Sequence, residues 1–298
     1  MKKLKLLLWI TMATTGLEMM GFAMNESAQA AAAPPSVAVQ NAEWNQGHLL
    51  VPVRPLIEPL GARLEWFPAE KELVIRKNDL TIRLAANFKR AIVDTPSRGE
   101  FPEYPDLPHR EYGDRGAPAQ VLNGSVYVPL KFVAAALGAT VGWDGPSKLA
   151  TAELEGIRIQ IKPSPSPVSM PGTQKLTSAR MKMLSDKLNE VQNLDAKYVS
   201  AHYKPYFTER FIRTLIHEQG LQAADRYKDP VTLPEYTGKT AATFTQSVPL
   251  GNGLTGEDQY IEDRSVTLIW IGGAWKVEQV DIRIRTLTTG FAEYAPMN

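Results

Sequence analysis

Cysteine is absent from all 298 residues, and only four histidines occur: His48, His109, His202 and His217. The first absence excludes disulfides, thiolate metal centres, a cysteine nucleophile and lipid attachment through an N-terminal cysteine. The second leaves no His-x-His pair from which a metal site would be built. Charge of one sign is missing too, since 33 Lys and Arg stand against 32 Asp and Glu with no basic or acidic block. That balance argues against nucleic acid or an anionic membrane surface as the main partner. No Gly-rich phosphate loop, zinc spacing, Ser/His/Asp signature or calcium loop is found, so neither a cofactor, a metal nor a catalytic set is expected. With apolar residues at 44% and charged residues at 22%, the composition is that of an ordinary globular chain held by packing.

Long hydrophobic runs are also scarce. The one near the N-terminus, Leu6 to Leu17, is preceded by Lys2, Lys3 and Lys5 and followed by Ala28-Gln29-Ala30. Basic start, apolar centre and an A-x-A site predict an export signal over residues 1–30. The run falls short of the roughly 20 residues that span a bilayer, which argues against an uncleaved anchor. The expected location is extracytoplasmic, secreted or at the cell envelope.

What is present is a repeat. Val51-Pro52-Val53-Arg54, Leu60-Gly61-Ala62 and Trp66 recur, each 77 positions later, as Val128-Pro129-Leu130-Lys131, Leu137-Gly138-Ala139 and Trp143. An ungapped register of Pro, Gly and Trp marks two copies of one supersecondary unit. Each copy predicts a strand, a Pro opening a short helix, a left-handed Gly closing it, and a further strand. Pro59 inside the first helix predicts a kink or an early end. Strands are expected at 73–76, 81–84 and 91–93 in the first copy and at 150–154 and 157–161 in the second, with turns at Asn78-Asp79 and Glu155-Gly156. Together they predict one twisted, mainly antiparallel sheet covered by two short helices. Trp66 and Trp143, at matching positions, read as shared core residues, and Arg54 and Lys131 as solvated or helix-packing cations.

These residues, given twice with the same internal spacing, resemble the copper amine oxidase N-terminal domain-like family, also called the stalk domain, over about residues 45–162. The resemblance implies a non-catalytic accessory module, frequent in exported proteins of Gram-positive spore-forming bacteria. Oxidase chemistry resides in a different domain, so the family name implies no activity here. One segment departs from the family pattern: residues between Thr95 and Gln120 carry five prolines and eight charges. Its composition predicts a solvated insertion, with Phe101, Tyr104 and Tyr112 as candidate contacts for a partner or wall polymer.

A proline-rich linker, residues 163–173, is expected to be semi-extended and to hold the domain 37–162 apart from a second one. Beyond it, Met181, Leu184, Leu188 and Val191 form the stripe of an amphipathic helix, and Thr208 caps another that buries Phe211, Ile212 and Leu215. The remaining chain alternates as strands at 239–248, 260–271 and 275–286, with Gly272-Gly273 as a hairpin turn. Trp275 and Val277 are odd, whereas Val280, Ile282 and Ile284 are even, which predicts a bulge near Glu278-Gln279. Trp270 and Trp275 beside the turn read as packing residues. Helices first and a curved antiparallel sheet afterwards give an α+β class for the whole chain.

The order Tyr206-Phe207-Thr208, helix, then Val266-Thr267-Leu268 and Trp275 to Val280 in a closing hairpin resembles an NTF2-like, cystatin-like domain over residues 174–290. Such a cone implies a ligand cavity, a catalytic pair or a filled core. Tyr203, His217 and Glu262 are its candidate contacts. Their convergence on one cavity would favour a small-molecule-binding or hydrolytic enzyme tethered by the stalk, and a cone plugged by Phe, Leu and Trp would favour a binding or scaffold protein. The latter is the expected function, docking on cell-wall polymer or an envelope protein, with a homodimer through the C-terminal sheet as a further possibility.

Overall fold

The structure is a computed structural model that describes residues 36–45, 47–98, 109–114, 116–164, 174–192, 199–228, 232–252 and 258–287. The expected export signal, the linker from residue 165 onward, and Phe101 and Tyr104 lie outside those residues. The class is α+β, as expected.

The repeat half runs β1 (Ser36–Asn45), β2 (His48–Pro52), α1 (Val53–Ile57), β3 (Arg63–Phe67), β4 (Glu72–Lys77), β5 (Leu80–Ala85), β6 (Arg90–Thr95), β7 (His109–Asp114), β8 (Gln120–Leu122), β9 (Ser125–Pro129), α2 (Leu130–Ala136), β10 (Thr140–Asp144), β11 (Leu149–Leu154) and β12 (Ile157–Pro163). The two copies superimpose in kind, as strand, Pro, helix, Gly and hairpin. Pro59 has its expected effect, for α1 stops at Ile57 after five residues, whereas α2 has seven. Gly138 closes α2 at φ +86°, a conformation an L side chain adopts only under strain.

Instead of one sheet there are two: a seven-stranded sheet in the order β10-β11-β12-β1-β2-β9-β8 and a five-stranded meander β3-β4-β5-β6-β7. Two partnerships absent from local pattern produce this. β1 pairs in parallel with β12 and antiparallel with β2, joining the ends of the repeat region. β7 pairs with β6 from Arg90–Asp114 to Thr95–His109, so part of the expected solvated insertion is a strand. Its His-Arg-Glu-Tyr-Gly-Asp sequence has no apolar alternation; Arg110 instead grips Asp94 with two hydrogen bonds, at 2.6 and 3.0 Å. One core built from both copies lies beneath, including Leu56, Ile57, Ile75, Ile82, Val133 and Ile159.

The C-terminal half starts with α3 (Ser178–Glu190), α4 (Val199–Tyr203) and α5 (Glu209–His217), followed by β13 (Glu235–Tyr236), β14 (Ala241–Asn252), β15 (Gln259–Ile271) and β16 (Ala274–Leu287) in an antiparallel sheet of that order. Val277 faces Leu268 and Gln279 faces Thr267, leaving Glu278 as the extra residue of the predicted bulge. That slip moves Val280 and Ile282 onto the face covered by the helices, where both pack against the core. Leu184, Leu188, Phe207, Phe211, Phe244 and Trp275 fill that core. Trp270 and Trp275 pack edge to face at 5.7 Å, and Trp275 donates its indole N–H to the Gln174 carbonyl at 2.6 Å.

Thr208 caps α5 by accepting from the Phe211 N–H at 3.1 Å, and its own N–H donates to Val277 in β16. Thr208→Ala should therefore cost about 1 kcal/mol, the usual loss at an N-cap, read as a lowered urea midpoint with unchanged slope.

The two halves are not held apart. Arg285 of β16 donates to the Glu70 carbonyl at 2.6 Å and the Ala86 carbonyl at 2.7 Å, and the Lys71 ammonium lies 2.7 Å from Asp263. Phe88 and Ile92 share a small apolar cluster with Ile261 and Leu287. Side-chain pairing brings the halves into contact.

Candidate binding cleft

The described cavity of note lies in the repeat half and has a volume of about 860 Å³. Three pieces of chain build it. Helix α2 and the following β10 give one wall, with Lys131, Phe132, Ala135 and Trp143. The meander gives another through Val93, Thr95 and Glu111. The β1–β2 turn closes one end with Trp44 and His48. Gly116 sits against the His48 ring at φ +76°, where a Cβ would come within 2.3 Å of the ring carbon. Glycine is needed there on both counts.

Trp143 is the main correction to the sequence reading. It is 50% exposed and meets Trp44, itself 48% exposed, edge to face at 5.4 Å. Its repeat partner Trp66 is partly buried and packs on the shared core. Equivalent register thus puts one tryptophan into the core and leaves the other at a cleft. The reason is local: β3 and β10 are both edge strands, but Trp66 packs against the shared core, whereas Trp143 has Trp44 beside it. Lys131 is exposed and borders the cleft, while Arg54 is exposed and lies 3.9 Å from Glu58. Trp44 was not singled out by the sequence because it precedes the repeat and has no counterpart in the second copy.

The candidates in the C-terminal half are dispersed. Tyr203 is buried, stacks on Phe207 at 5.2 Å and donates to Glu190 at 3.3 Å. Burial pushes its hydroxyl above the ordinary tyrosine range, and Glu190 adds to the effect. His217 is exposed at the end of α5. Glu262 is buried and accepts from the Ala224 N–H at 3.1 Å and the Tyr227 hydroxyl at 2.8 Å. These three side chains share no hydrogen bond, so the arrangement does not assemble them. Tyr112 contributes backbone to β7 opposite Ile92.

Around Glu262 lies a polar core that the sequence reading missed. Arg264, fully buried two residues along β15, donates to Asn189 at 3.0 Å, Ser185 at 2.9 Å and Gln246 at 2.6 Å, and stacks 4.1 Å above the Tyr227 ring. Burial lowers its guanidinium to about 10, against the opposing pull of Tyr227 and Glu262. Burial likewise drives the Tyr227 hydroxyl far above its ordinary range, reinforced by its bond to Glu262. Apart from the buried Arg264 Nε–H, which has no hydrogen-bond partner, these groups satisfy one another, so their chemistry is that of a scaffold. The available hint was the charge run Glu262-Asp263-Arg264 inside an apolar strand, where a buried charge requires partners.

Among the described residues, no three His, Asp or Glu side chains are grouped to hold a metal, and no helix is long and apolar enough to cross a membrane. The family model of the copper amine oxidase N-terminal domain matches residues 34–99 and 112–189. The interruption falls within the segment read as an insertion, and the match continues past the proline-rich segment through most of α3. No curated protein matches the chain.

Proposed function

Through residues 34–99 and 112–189 the chain belongs to the copper amine oxidase N-terminal domain family, and from that premise we propose that it is a non-catalytic binding protein of the cell envelope. The repeat half docks on wall material, and the C-terminal half, read as an NTF2-like domain, acts as the attached scaffold. The observation that carries this reading is the cleft with Trp44 and Trp143 at its wall, since two indoles left half exposed have no role in the core beneath them. Tryptophan at such a site offers a large rigid contact surface at little entropy cost.

Three further points support it. The basic and apolar start of the chain fits export. The near-zero net charge fits a partner that is neither nucleic acid nor an anionic surface. The separate surroundings of Tyr203, His217 and Glu262 favour binding over the tethered hydrolase.

Sedimentation with purified cell wall tests the proposal. The wild-type chain should co-sediment, and Trp143→Ala, a change at an exposed position, should reduce the retained fraction at least fivefold while leaving the circular dichroism spectrum unchanged. Equal retention of both proteins would remove the cleft from the account.

A further inference from the structure

Resting on that docking reading, we infer that the cleft takes a neutral N-acetylated glycan, a stretch of two or three sugar rings lying along α2 and β10 against Trp143. The argument comes from how the second repeat differs from the first. At the positions matching Pro55, Glu58, Pro59 and Glu65, the second copy has Phe132, Ala135, Ala136 and Gly142. Two carboxylates and one proline are thereby replaced by the small residues Ala135, Ala136 and Gly142, and the other proline by the aromatic Phe132, next to the Trp143 indole, all of it lining the cleft. In the first copy, Glu65 lies 3.6 Å from Arg76 and Trp66 packs on the core, and neither residue lines this cleft.

A flat strip bounded by an aromatic face suits the apolar face of a sugar ring better than a branched peptide side chain, which needs depth. Val93 and Val141 present apolar surface for an acetamido methyl. Thr95, His48, Lys131 and Glu111 supply hydroxyl, imidazole, ammonium and carboxylate around it for hydroxyl and amide groups. Lys131 and Glu111 are the charged side chains of the lining, one of each sign, and Glu111 is also met by His109 at 3.4 Å and Arg98 at 3.9 Å, so the cleft is not a dense cationic cluster of the kind a polyphosphate chain would call for. The volume of about 860 Å³ lies within the range of roughly 300–1,000 Å³ usual for small-ligand clefts.

The test is titration of the full chain with N,N′,N″-triacetylchitotriose, followed by tryptophan fluorescence and calorimetry. Saturable binding is expected, at least tenfold weaker with maltotriose, which lacks acetamido groups. Trp143→Ala should weaken it at least tenfold. Ala135→Glu, an exposed helix position that copies the first repeat onto the second, should do the same without touching an aromatic residue. Absence of saturable binding, or undiminished binding by both variants, would overturn the ligand assignment. Wall retention that persists without trisaccharide binding would refute the glycan alone, and retention lost when stem peptides are cleaved from the wall would assign the cleft to peptide instead. Failure of wall retention together with failure of trisaccharide binding would refute the docking reading as well.

Discussion

Arg264→Ala should lower the unfolding free energy by about 3–5 kcal/mol, the usual cost of removing one partner from a buried charged network. The guanidinium is fully buried and serves three acceptors on two different elements: Ser185 and Asn189 on α3 and Gln246 on β14. Its loss would remove one donor from each of those oxygens, leaving Asn189 only the Tyr227 N–H and Gln246 the Ser185 hydroxyl, open a cavity under the Tyr227 ring, and leave the buried Glu262 carboxylate without the cation two residues away. Arg264→Lys should fall between the two, because an ammonium keeps the charge but lacks the planar fork that reaches several acceptors at once. Urea unfolding measures both. A loss under 1 kcal/mol for the alanine variant would mean that the network is incidental to the helix–sheet packing.

Asp263→Asn should also cost several kcal/mol, by leaving Arg285 buried without its anion. Asp263 receives Arg285 at 2.9 Å, Lys71 at 2.7 Å and Ser247 at 2.5 Å. Burial works to raise its pKa, but Arg285 and Lys71 outweigh that and hold the carboxyl below the ordinary aspartate range. A folded value below the unfolded one, about 3.9, means that the contribution is complete above about pH 4 and is lost as pH falls through the folded value. Wild-type thermal stability should therefore drop in acid more steeply than that of Asp263→Asn. Melting temperatures between pH 2 and 7 give the comparison, and parallel curves would contradict the assignment. Because Lys71 and the carbonyls held by Arg285 belong to the repeat half, this cluster also governs how firmly the two halves stay together.

Features governed by nearby residues were legible in the sequence. The 77-residue register, the early end of α1 before Pro59, the cap at Thr208 and the bulge at Glu278 all follow from short-range rules, and the structure has each of them. Features set by distant pairing were not. β1 joins β12 from across the whole repeat region, and β7 is held by Arg110 on Asp94 without any apolar alternation to announce it. Trp143 shows the limit of symmetry as an argument: identical residues at matched positions received different neighbours, and exposure followed the neighbours. Arg264 shows a limit of another kind, since an arginine in a strand declares itself buried only once Ser185, Asn189 and Gln246 are seen around it.

Hydrogen–deuterium exchange of the full chain, with and without solubilised wall fragments, is the most direct test of where docking occurs. Docking through the cleft predicts slowed exchange in α2, β10 and the β1–β2 turn, with β14 to β16 unchanged. Protection confined to residues 174–287, with the repeat half unaffected, would contradict it.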